Sequence, residues 1–116
     1  MQTTGSVEQQ SKINTLEKIR RLEAYIAADN TTADAVLDSS LTKLLAREQV
    51  RVHRLAERLR QGLQQFESSY KLLSEEFYIR YCRGDMGDEM DFIEWASTVE
   101  MLADAEKRLN LLNSEQ

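Results

Sequence analysis

No proline interrupts the 116 residues of this chain, and glycine occurs only four times. Proline is the residue that most sharply breaks a helix, because its ring clashes with the preceding turn and it has no amide donor. In its absence, apolar residues that return at steps of three, four and seven can run through long uninterrupted helices. Charged residues make up 30% of the chain and aromatics 7%, a balance that suits elongated helices better than a compact globule. The length allows one domain with a thin core.

Residues 1–8 are polar and read as a disordered tail, followed by a single helical domain over residues 9–116. Ile13, Leu16, Ile19, Leu22 and Ile26 mark a first amphipathic helix over roughly residues 8 to 28. Asp29-Asn30-Thr31-Thr32 groups side chains that compete for backbone hydrogen bonds, which predicts a turn and the cap of the next helix. That second helix is expected from about Thr32 to about Ser69, with Leu37, Leu41, Leu44, Leu45, Val52, Leu55, Leu59, Leu63, Phe66 and Tyr70 along one seam. At about 1.5 Å per residue it reaches on the order of 55 Å, more than either flanking helix can cover alone. A second copy is therefore expected along the part of the seam defined by Leu41, Leu45, Val52, Leu55, Leu59 and Phe66.

Ser74-Glu75-Glu76-Phe77 starts a short third helix with a capping serine and with carboxylates that suit the positive end of the helix dipole. Arg83-Gly84 closes it, because a cation suits the negative end and glycine accepts a left-handed backbone. Gly87-Asp88-Glu89-Met90-Asp91 opens a fourth helix, in which Phe92, Trp95, Val99, Leu102 and Leu109 share one face to about Leu112. Short loops favour antiparallel neighbours. The expected fold is all-α: an antiparallel helical hairpin or bundle with one long central helix, coiled-coil-like and dimeric.

Charge is segregated on these helices. Between Lys43 and Arg60 six basic residues stand against two acidic ones, whereas Asp85 to Glu106 carries eight acidic residues and no basic one. Lys43, Arg47, Arg51, Arg54 and Arg58 follow at steps of four and three, which lays them in a row on one helix face. Such a row suits phosphate or an acidic partner helix, or is simply a solvated exterior. Asp88, Asp91, Glu94, Glu100 and Asp104 occupy the side of the fourth helix away from Phe92 and Trp95. They could pair with the basic row within the chain, across a homodimer, or with a basic protein. The net charge of −5 opposes nucleic acid and anionic membrane. No aromatic residues interleave with the arginines to stack on bases, and no groove-reading motif is present.

The segment Ser74-Glu75-Glu76-Phe77-Tyr78, followed by Gly84-Asp85-Met86-Gly87-Asp88-Glu89-Met90-Asp91-Phe92-Ile93-Glu94-Trp95, resembles a signature of small helical prokaryotic antitoxin-like proteins encoded beside a toxin-like partner. The resemblance covers residues 70 to 100 best, and its core is Gly-Asp-x-x-Asp-Phe-x-Glu-Trp. It implies a neutralising subunit whose acidic helix covers a basic, RNA-handling surface of the toxin. Members of that group carry a glycine before the third helix, where this chain has Lys71-Leu72-Leu73. The departure leaves open whether the second helix breaks at Tyr70 or runs on.

Catalytic and metal chemistry find less support. His53 is the only histidine, and Arg47 with His53 falls within the spacing of helical ribonucleases of the HEPN class. Six steps of about 100° put the two side chains about 120° apart, and the polar residue that usually follows the arginine there is missing. Asp85, Asp88 and Asp91 recur every third residue, whereas a calcium loop takes ligands at alternate positions. Arg83-Gly84-Asp85 spells an adhesion tripeptide that a helix end explains better. Cys82 is the only cysteine, so it reads as a small buried residue in a reducing compartment.

No cofactor or metal is expected. A polar N-terminus without a hydrophobic signal core, and no apolar run long enough for a bilayer, point to the cytoplasm. The expected function is an antitoxin-like or adaptor protein, not an enzyme, that binds and neutralises a small protein partner. Its partner-binding set comprises Asp88, Asp91 and Glu94, the basic row Lys43, Arg47, Arg51, Arg54 and Arg58, and Trp95 as an aromatic anchor. Trp95 also shares its helix face with Val99 and Leu102, which is the spacing of a core residue. The alternatives are a structural homodimer without another partner and the HEPN-like ribonuclease.

Overall fold

The computed structural model describes residues 4–28 and 34–114, and within them the chain forms four helices and no strand. These are α1 Thr4–Ala27, α2 Ala35–Tyr70, α3 Ser74–Cys82 and α4 Met90–Asn113. The all-α class is the one the periodicity predicts. Two compact units divide the chain, Met1–Ser40 and Leu41–Gln116. In the first unit α1 begins within the stretch read as a tail, since residues such as Glu8, Gln9 and Gln10 continue a helix readily. Ile13, Leu16 and Ile19 of α1 are exposed, while Leu22 and Ile26 are half-buried. The expected cap at Asp29 to Thr32 lies outside the described residues. Asp34 caps α2 instead: its Oδ1 accepts the Val36 amide at 2.9 Å, the bond by which an N-cap side chain satisfies an orphan donor.

The second unit is built on α2 and α4, which run antiparallel. Gln49 meets Leu112 and Asn113, Arg60 meets Glu106, and Tyr70 meets Asp91. Val52, Ala56 and Leu59 of α2 pack with Ala105 of α4 in one buried cluster, flanked by Leu55, Leu102, Leu109 and Leu112. Ala56 and Ala105 are fully buried, and such small side chains leave room for their larger neighbours to interlock. At the far end of this pair the Gln49 amide donates to the Leu112 carbonyl at 3.0 Å and to Asn113 Oδ1 at 2.9 Å. It thereby satisfies a carbonyl that the end of α4 would leave without a partner.

This packing revises the expected dimer seam. Val52 and Leu59 are buried, and Leu55 and Phe66 half-buried, against the chain's own α4. The apolar stripe of α4 has the same period as that of α2 and covers it from Gln49 to Tyr70. Of the expected seam only Leu41 and Leu45 stay exposed, at 40% and 51%.

The second cluster joins three helices around one ring. Trp95 is fully buried and stacks with Phe77 of α3, 3.9 Å away with planes 3° apart, and with Phe66 of α2, 5.5 Å away at 9°. Its indole N–H donates to Ser74 Oγ at 2.9 Å. Ser74 therefore does not act as the cap expected of it. The N-cap of α3 is Leu73, which makes no side-chain cap, and the Ser74 amide donates to Glu67 Oε2 at 2.9 Å.

Two helix ends show the same closing motif with different residues. After α3, Gly84 adopts φ +82°, the Gly84 amide reaches the Tyr81 carbonyl and the Asp85 amide reaches Arg80, as in a Schellman cap. After α2, the residue in the equivalent left-handed position is Lys71 at φ +52°, and the Leu72 amide reaches the Glu67 carbonyl at 3.3 Å. The second helix thus breaks at Tyr70, and Leu72 turns back onto the aromatic cluster. A side chain with a Cβ pays about 1 kcal/mol for that backbone, which glycine avoids. Lys71→Gly is expected to stabilise the protein by up to about 1 kcal/mol and raise Tm by a few degrees, less the entropy glycine adds to the unfolded chain. Thermal denaturation followed by circular dichroism measures it, and an unchanged or lower Tm would contradict the strain.

Candidate functional site

The acidic residues of the last third fall into two groups. Toward the C-terminal end, Glu106 accepts from Arg60 at 3.2 Å, Asp104 faces Arg108 at 3.8 Å, and Glu100 accepts the Tyr78 hydroxyl at 2.7 Å. At the start of α4 and in the loop before it, Asp85, Asp88, Glu89, Asp91 and Glu94 are all exposed, and none forms an ion pair among the described residues. Asp91 alone of these has a side-chain donor, the Tyr70 hydroxyl at 2.5 Å. The loop is shaped by Gly84 and Gly87, both at positive φ, and Glu89 is the N-cap of α4. Phe92 and Trp95 point inward from the same turn into the aromatic cluster. Trp95, expected as a binding anchor, has no exposed surface and lies in the aromatic core. The other expected residues on this face, Asp88, Asp91 and Glu94, are displayed to solvent.

The basic row is equally outward. Lys43, Arg47, Arg51, Arg54 and Arg58 are exposed, and among the described residues only Arg51 has a carboxylate, Glu48 at 3.2 Å. Arg108 of α4 joins Arg51, Arg54 and Arg58 around an open cleft of about 320 Å³, a convergence that only the α2–α4 pairing creates. A second depression of about 390 Å³ brings Arg58 into the same lining as Asp91 and Glu94. Among the described residues the row and the acidic face share no ion pair. The salt bridge that joins α2 to α4 uses Arg60, outside the row. His53 and Arg47 are both exposed on α2. Cys82, expected to be buried, is exposed at the last residue of α3. Asp85, Asp88 and Asp91 belong to no cluster that could hold a metal ion among the described residues.

The sequence did not reveal a third feature, a groove of about 720 Å³ between α3 and the α2–α4 pair. Leu63, Val99 and Leu102 form its floor, and Leu73 and Ile79 of the α3 region line its wall. Glu67, Glu75 and Glu106 are its charged lining residues, and no lysine or arginine is among them. Its residues come from three separate stretches of chain, so no local spacing announces it.

Comparison with protein families, with curated proteins and with solved structures finds no match for this chain. Among the described residues no helix is long and apolar enough to cross a membrane.

Two tyrosines hold the surface carboxylates in place, with a measurable consequence for pH. Tyr70 and Tyr78 each donate to a carboxylate, and the hydrogen bond to Asp91 or to Glu100 is the main reason that both phenols are pushed above their ordinary range. The folded state keeps these protons when the unfolded chain begins to release them near pH 10. Their contribution is therefore complete below about pH 10 and is lost as pH rises through the folded pKa values. In denaturant titrations at pH 8 and pH 11, the stability advantage of the native chain over the Tyr70→Phe/Tyr78→Phe variant should shrink at the higher pH. An advantage that stays constant or grows would contradict the hydrogen bonds.

Proposed function

We propose that this chain is an antitoxin-like or adaptor protein that binds and neutralises a small basic protein through the acidic start of α4. The observation that carries the reading is the group Asp85, Asp88, Glu89, Asp91 and Glu94, exposed together without one ion pair among the described residues. Further along α4, Asp104 and Glu106 pair with arginines of the chain, and Glu100 accepts the Tyr78 hydroxyl. Charges left unpaired on a firm support give a partner specificity and a fast encounter, while each pair contributes only modest affinity. The support is the aromatic cluster beneath them, with Phe92 and Trp95 in the same turn as Asp91 and Glu94. The stretch Gly84 to Trp95 is also the one that resembles the antitoxin-like signature, and its implied role, covering a basic surface, fits an acidic face. The protein is read as cytoplasmic and non-catalytic.

A second copy has a place in this reading. Leu41, Leu44 and Leu45 are exposed in succession near the start of α2, and a coiled-coil-like homodimer there would cover them. It would be shorter than the seam read from the apolar period.

Co-expression with the product of the neighbouring gene tests the proposal. The two proteins should co-elute through affinity and size-exclusion steps. The double reversal Asp88→Lys/Glu94→Lys should weaken the complex at least about tenfold, a loss of about 1.4 kcal/mol, with helicity unchanged. Separate elution, or an equally strong complex with the reversed variant, would refute it.

A further inference from the structure

The exposed wall of the groove beside α3 belongs to neither buried cluster, and its composition specifies what would fill it. Leu73 is the clearest sign. It occupies the N-cap of α3, where serine, threonine, aspartate or asparagine would satisfy a free amide, yet it makes no cap and is 69% exposed. Neither helix capping nor core packing accounts for a leucine there. Ile79, six residues further along the chain and in the same lining, is 50% exposed. Together with Leu63, Val99 and Leu102 they present apolar surface from three helices along one groove.

The geometry points to this groove as a docking site for an amphipathic α-helix of another protein, with lysine or arginine on both flanks of its apolar face. Charge complementarity selects that occupant. Glu67 and Glu106 line the groove from α2 and α4, and Glu75 from α3, with no cation in the lining. Glu67 gives one oxygen, Oε2, to the Ser74 amide and keeps the other for an incoming cation, whereas Glu106 is already paired with Arg60. Glu75 is exposed. A helix entering with its apolar side down would bury Leu73 and Ile79 and bring flanking cations against Glu67 and Glu75, the helix-in-groove mode of recognition. The exposure of Leu73 and Ile79 argues against a small ligand, which is ordinarily enclosed over most of its surface.

The inference rests on reading the chain as a protein-binding module, but its residues are distinct from the acidic face at the start of α4, so the two can fail separately. The probe is a designed 18-residue amphipathic helix with leucine and isoleucine on one face and lysines on both flanks. Its controls are a glutamate-flanked version and a scrambled sequence of the same composition. Fluorescence anisotropy measures affinity, and amide shift perturbation locates the site on isotope-labelled full-length protein. The lysine-flanked helix is expected to bind, with shifts at Leu63, Leu73, Ile79 and Leu102. The glutamate-flanked helix should bind at least about tenfold more weakly, and Ile79→Glu and Leu73→Glu should each cost at least about tenfold. Asp88→Lys/Glu94→Lys should leave peptide affinity unchanged, which separates this site from the acidic face.

Three results would overturn the proposal: no binding of the lysine-flanked helix, binding that the scrambled control reproduces, or shifts elsewhere on the protein. Sedimentation of the protein alone adds a fourth. If it is a dimer that Ile79→Glu dissociates, a second copy fills the groove, and the proposal of a foreign helix is wrong.

Discussion

The second unit depends on how one indole is held. Trp95 is the largest side chain in the core, and its N–H must find an acceptor away from water or cost about 1 to 3 kcal/mol. Ser74 supplies that acceptor from the first residue of α3, while Phe66 and Phe77 stack with the ring. Burial of rings this large contributes about 2 to 3 kcal/mol each, with stacking adding roughly 1 kcal/mol. A nine-residue helix such as α3 is too short to persist by propensity alone. Its place is set by Phe77 on the indole and by the Ser74 hydroxyl beneath it. Because α3 is set in this way, the groove along its side and the loop that leads into α4 take their positions from the same contact.

Much of the architecture could be read from local pattern because it is locally encoded. The three- and four-residue returns of apolar side chains are consequences of the helix period, so the four helices follow from residue spacing. Arg83-Gly84 announced the end of α3 since glycine carries an intrinsic preference for the backbone needed there. The end of α2 lacked such a mark: lysine does not signal a left-handed turn, and Lys71 adopts one because Leu72 gains a place against the aromatic cluster. The role of Ser74 is hidden from local pattern for a related reason. Serine before two glutamates has the form of a cap, and only a tryptophan 21 residues away in sequence diverts its hydroxyl.

The parts that bear on function were less legible because they are tertiary. Asp88, Asp91 and Glu94 were identified as an outward acidic face because solvated charge is the default for one side of an amphipathic helix. That Asp91 would be held by Tyr70, or that Arg108 would join Arg51, Arg54 and Arg58, depends on the register between α2 and α4, which charge counts do not contain. The dimer seam was overextended for the same cause. Periodicity shows that Val52, Leu55, Leu59 and Phe66 need cover, but not that α4 provides it. With those residues accounted for within the chain, the acidic face, the basic row, the groove wall and the leucines near the start of α2 are among the surfaces that stay exposed.

The claim on which these surfaces depend is that Trp95 stays locked against Phe66, Phe77 and Ser74 until the whole unit unfolds. Trp95 is the only tryptophan in the chain, so its indole N–H gives a single assignable signal for native-state hydrogen exchange. If the account is right, this proton exchanges only through global opening, with the same free energy that denaturant unfolding gives for α2 and α4. Exchange of the indole with little protection, while the amides of α2 and α4 remain protected, would show that α3 opens on its own and would contradict the account.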